Sequence, residues 1–105
     1  MDPRDEFPEH DRAVRDWFAA RGWPVTEAFA YFDPAIYAWR HRGSQDRHTL
    51  YVSKEVLDRN EARDLPGLLD QRSAEAALRE LPDGEAILCY AHRLLVLRYF
   101  ERSDN

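Results

Sequence analysis

Ile36-Tyr37-Ala38-Trp39-Arg40-His41-Arg42 and Arg47-His48-Thr49-Leu50-Tyr51-Val52-Ser53 are the two stretches whose reading decides the fold. Gly43-Ser44-Gln45-Asp46 lies between them, and it is turn chemistry: glycine adopts backbone angles closed to other residues, and Ser and Asp bond nearby backbone groups. If these residues form the loop, Arg42 falls opposite Arg47, His41 opposite His48, Trp39 opposite Leu50 and Tyr37 opposite Val52. Side chains alternate across a strand, so Tyr37, Trp39, Leu50 and Val52 share one face, the one expected to be buried. Ile36, Ala38, Arg40, Thr49 and Tyr51 line the other, more mixed face. Both arms alternate in step, and a one-residue slip would turn every large ring outward, so the pattern itself specifies the register.

The flanking sequence adds helices and further strands. Pro8 opens a helix, because its fixed φ suits the first turn and its missing N–H is not needed there. Glu9 and Asp11 complement the positive end of the helix dipole. Val14, Trp17, Phe18 and Arg21 follow at helical spacing, flanked by Ala13 and Ala20. Gly22 is placed as a left-handed stop and Pro24 blocks continuation, so the helix ends at about residue 21. Val25 to Phe32 reads as a strand with Ala28, Ala30 and Phe32 on one face and Phe29 and Tyr31 on the other. Asp33-Pro34 reads as a turn.

After the hairpin, Ser53 is an N-cap for a short or broken helix through Glu55, Val56, Leu57 and Arg59. Leu65, Leu68 and Leu69 belong to a turn-rich, buried connection. Ser73 is a second N-cap candidate for a helix carrying Ala74, Ala77, Leu78 and Leu81, which Pro82-Asp83-Gly84 ends. The segment Glu85 to Glu101 alternates as two strands with a tight turn near His92-Arg93, with one long helix as its rival.

The resulting expectation is a single α+β domain over residues 8–102. It has an N-terminal helix and an antiparallel sheet of about four to five strands with helices on one face, in the order α-β-β-β-α-α-β-β. A flexible acidic lead (residues 1–7) precedes it, and a short tail (residues 103–105) follows it. The expected core includes Trp17, Phe18, Tyr37, Trp39, Leu50, Val52, Leu57, Leu78, Leu81, Ile87 and Leu95.

Bulk properties narrow the function classes. A length of 105 residues leaves room for one domain. A 44% apolar share with 12% aromatics supplies a core, which argues against a wholly disordered chain. The net charge of −5 disfavours general nucleic-acid affinity, because phosphates repel a negative surface. No run approaches the roughly 18 apolar residues of a membrane span. The acidic start is unlike a secretory signal, and the single cysteine, Cys89, excludes an internal disulfide; both point to the cytoplasm.

Candidate sites are few. The basic hairpin concentrates Arg40, His41, Arg42, Arg47 and His48, which is the set expected to bind if anything does. Opposed imidazoles at His41 and His48 lie near enough to share one anion or one metal ion. Zinc needs three or four ligands, however, and no Cys-x-x-Cys or His-x-His spacing supplies them, so no metal or other cofactor is expected. Trp39 and Tyr51 beside these cations would suit single-stranded nucleic acid, although Trp39 is more simply a core residue. Cys89 and His92 point to opposite faces of a strand and so make no catalytic pair.

The order helix, three strands, helix, strand is similar to the core of the restriction-endonuclease-like fold. That resemblance implies an acid on the second strand and an acid-x-Lys pair on the third. Asp33 stands near the first position. Val52 occupies the acidic place before Lys54 and cannot hold a divalent cation, so the likeness is one of topology. The expectation is therefore a non-catalytic protein-interaction or regulatory module, binding itself as a homodimer or another protein, with no membrane partner. The alternatives are an anion or nucleic-acid site on the hairpin, and a small-ligand or catalytic site using His41 and His48 with Asp33 or Tyr51.

Overall fold

The computed structural model describes residues 3–31, 36–44, 46–80, 86–90 and 93–97. Outside them lie the Asp33-Pro34 turn, the Pro82-Asp83-Gly84 stop, Leu81, His92 and the 103–105 tail; the side chains of Ile87 and Leu95 are likewise not described. Two helices open the chain, α1 (Pro3–Glu6) and α2 (Pro8–Ala19). The expected frayed lead thus contains a helical turn, with Pro3 buried and its carbonyl accepting from Phe7 N at 2.8 Å. The Phe7 ring packs edge-on against Tyr37 at 5.4 Å, which anchors the lead to the sheet.

α2 ends as the glycine foretold. Gly22 has φ +79, Gly22 N donates to Ala19 O, and Trp23 N donates to Phe18 O, both at 3.0 Å. This double closure brings Trp23 back onto Phe18, with ring centroids 6.3 Å apart. Trp23 is thereby placed in the core rather than in a solvated loop.

β1 (Glu27–Tyr31), β2 (Ile36–Arg42) and β3 (Arg47–Ser53) form an antiparallel meander. The β2–β3 register is the one the alternation specifies: Arg42 pairs with Arg47, His41 with His48, Trp39 with Leu50 and Tyr37 with Val52. Ser53 caps α3 (Lys54–Arg59), its Oγ accepting from Val56 N at 3.3 Å. A 3-10 turn (Ala62–Asp64), α4 (Leu65–Gln71) and α5 (Ala74–Glu80) follow. Ser73 is not an ordinary N-cap. Its φ of +58 is left-handed, and its N–H bonds Asp70 O at 3.1 Å, which closes α4.

β4 (Ala86–Tyr90) and β5 (Arg93–Leu97) complete a sheet of order β1-β2-β3-β4-β5. β5 is antiparallel to β4, but β4 lies parallel to β3. The all-antiparallel expectation is corrected here. Three helices intervene between β3 and β4, and such a crossover returns the chain to the same end of the sheet, where the next strand runs parallel.

The core lies between the helices and the face bearing Tyr37, Trp39, Leu50 and Val52. It also takes Val14, Trp17, Phe18, Trp23, Leu57, Leu65, Leu69 and Leu78. The opposite face is also buried at its centre, through Ala38, Arg40, Thr49 and Tyr51. Phe29 from β1 covers part of it. Its ring meets Tyr51 edge-on at 6.4 Å, and the Arg40 guanidinium lies 5.2 Å from its centroid. Among the described residues, no helix is long and apolar enough to cross a membrane.

Candidate functional site at the hairpin tip

The register sets His41 and His48 side by side on the helix-facing side of the hairpin, with rings 6.2 Å apart and only 16° from parallel. Each ring is tied to backbone through Nδ1. His41 Nδ1 lies 2.7 Å from Pro24 O, and His48 Nδ1 lies 3.1 Å from Leu78 O. Carbonyls only accept, so in both rings Nδ1 carries the hydrogen. Both Nε2 atoms then turn toward one carboxylate: Asp46 Oδ1 is 3.2 Å from His41, and Asp46 Oδ2 is 3.9 Å from His48.

Asp46 reaches this position because Gly43 has no side chain. The turn closes through Gly43 N donating to Asp46 O at 2.8 Å. A Cβ at Gly43 would collide with the Asp46 carboxylate and press on His41 Nε2 at 3.1 Å. His48 is clamped further by Trp23, whose ring lies 3.9 Å away at 30°. Burial lowers the His48 pKa below its usual 6.5; the Leu78 carbonyl and Asp46 oppose that shift, while His41 and Arg79 add to it.

The trio therefore fastens the hairpin tip to the Trp23-Pro24 segment and to α5. His41 engages both ring nitrogens, whereas His48 Nε2 lies 3.9 Å from Asp46, beyond hydrogen-bond distance. Among the described residues, no group of three His, Cys, Asp or Glu side chains can hold a metal ion.

The arginines of the expected set do not converge with the histidines. Arg40 points to the other face, where it is buried, donates from Nε to Thr49 Oγ1 at 3.1 Å and contacts Glu27 at 3.2 Å. Arg42 reaches the same Glu27 at 3.6 Å and is half-exposed. Arg47 is partly buried at the start of β3, opposite Arg42.

Two residues read from the sequence only as parts of the first helix, Asp11 at its start and Arg21 at its end, organise the tertiary structure. Asp11 is buried in α2, accepting from Trp39 Nε1 and from Arg15 Nε, both at 2.9 Å. Its position on the same helical stripe as Val14 and Phe18 is the signal that could have revealed it. Arg21 stacks 3.9 Å over Trp17 and donates to Asp70 at 2.8 Å. Its Nε lies 2.8 Å from Glu75, a charge contact without an aligned hydrogen bond, so Arg21 joins α2 to α4 and α5.

Comparison of the chain with protein-family models, with curated proteins and with solved structures finds no match.

Proposed function

We propose that this chain is a non-catalytic module that binds another protein in the groove between α2 and the 3-10 turn with α4. The observation that carries the proposal is the groove itself. It is an open depression of about 530 Å³ with Ala13, Trp17, Ala20, Ala62 and Pro66 along its length. Small apolar residues on two facing segments let another backbone approach closely. Arg12 and Arg63 stand beside Glu9 and Asp16 at the same groove. A rim of both signs suits an amphipathic helix with mixed charges rather than a polyanion. Such a groove, half apolar and rimmed by polar groups, is the usual mark of a docking surface.

A photo-crosslinking residue placed at Ala20 tests this in cells. One discrete adduct is expected, absent when the same residue is placed at Glu55 and abolished by Ala13→Arg. An adduct at twice the chain's own mass identifies the partner as a second copy. No adduct, or one indifferent to Ala13→Arg, refutes the proposal.

Nucleic-acid binding through Arg40, Arg42, Arg47 and His48 is the weaker proposal. Arg40 is buried, and Glu27 already offsets both Arg40 and Arg42. Its mark would be affinity that falls steeply with salt.

A further inference from the structure

A second cleft of about 630 Å³, which shares no lining residue with the α2–α4 groove, is lined by Arg4 of α1, Arg15 of α2, Thr26, Glu27 and Phe29 at β1, and Arg40 of β2. We propose that this cleft binds a small molecule through an oxyanion, a phosphate or carboxylate group, held end-on by the guanidinium of Arg15.

Arg15 is oriented before any ligand arrives. Its Nε donates to Asp11 Oδ2 at 2.9 Å, and Asp11 is itself fixed, because its other oxygen accepts the buried Trp39 indole N–H. With Nε committed, the two Nη groups form the outward fork that matches two oxygens of a carboxylate or phosphate. Among the described residues those Nη groups have no partner. A preoriented fork loses little freedom on binding, which is how a shallow site gains affinity.

The surroundings favour an anion. Three guanidinium groups from three separate elements line one concavity; Glu27 in its wall meets Arg40 at 3.2 Å, and Asp11 takes the Nε side of Arg15, so Arg15 is the one whose fork the site uses. Concave sites focus such a field even on a chain whose total charge is −5. Phe29 and Ala28 offer an apolar wall for the remainder of the ligand. This cleft contains neither Arg42 nor Arg47, so it is distinct from the tip of the basic hairpin.

The test uses the whole chain, titrated with inorganic phosphate and with acetate while the amide signals of Thr26, Glu27 and Phe29 are followed by NMR. Sodium chloride at equal ionic strength is the control. Saturable shifts with phosphate, acetate or both are expected, and the preferred anion identifies the ligand's acidic group. Arg15→Gln should weaken the interaction about tenfold, the worth of a charge-assisted bond, with the remaining spectrum unchanged. Arg15→Lys should weaken it too, because it keeps the charge and loses the fork. Shifts no larger than those with chloride, or an affinity unaltered by Arg15→Gln, overturn the proposal.

Discussion

Replacing Asp11 by alanine probes the contact that joins α2 to the sheet. In the native chain, Asp11 accepts from Trp39 Nε1 at 2.9 Å, where the indole is fully buried, and from Arg15 Nε at 2.9 Å. Alanine leaves the indole N–H without an acceptor and out of reach of water, which costs about 1–3 kcal/mol. It also removes a negative charge from the first turn of a helix, worth roughly 0.3–1 kcal/mol. The pair with Arg15, whose side chain is 34% exposed, adds at most about 1 kcal/mol. A loss of about 2–4 kcal/mol follows, a large share of the roughly 5–15 kcal/mol that such a domain commands. At about 4–6 °C per kcal/mol for a domain of this size, the melting midpoint falls by about 8–24 °C.

Asp11→Asn keeps an oxygen for the indole and loses only the charge, so it should cost about 0.5–1.5 kcal/mol. Urea unfolding followed by tryptophan fluorescence measures both. The sharper assay is a double-mutant cycle with Trp39→Phe, which deletes the donor. Asp11→Ala should then cost about 1–2 kcal/mol less in the phenylalanine background. Additive effects, or a cost below about 0.5 kcal/mol for Asp11→Ala, would show that the indole bond contributes nothing and refute the reasoning.

Gly22→Ala should destabilise the domain by about 1 kcal/mol, because its φ of +79 burdens any side chain even though nothing crowds the position; thermal melting reads this directly. Gly43→Ala should displace the Asp46 carboxylate, which is 46% exposed and free to swing, so it costs no more than Asp46→Ala, under about 1 kcal/mol. Combining Gly43→Ala with Asp46→Ala should add nothing further, and additive urea midpoints would contradict the contact. Stability should also fall on the acid side through His48. Its folded pKa lies below 6.5, so between the two values the unfolded chain binds a proton that the native chain refuses. The contribution is fully present above pH 6.5 and is lost as pH falls through the folded value. His48→Gln should flatten the decline in urea midpoint over that interval, and an unchanged slope would assign it to other groups.

The β2–β3 hairpin, its register and the buried ring face were legible in the chain, because a period of two is a local property. Misplacing it by one residue would expose Tyr37, Trp39, Leu50 and Val52 together. The first helix and its glycine stop were legible for the same reason, since capping and left-handed φ are decided within a few residues. His41 opposite His48 came with the register. What alternation does not encode is where polar groups find partners. Trp39 lies 28 positions from Asp11, His48 bonds a carbonyl 30 positions away, and the hairpin arginines part company with the histidines across the sheet. The parallel joining of β4 to β3 and the burial of Asp11 against Trp39 arise only when distant segments pack. A charge is tolerated in the interior only where the fold delivers its counterpart, and one short window of sequence holds no record of that.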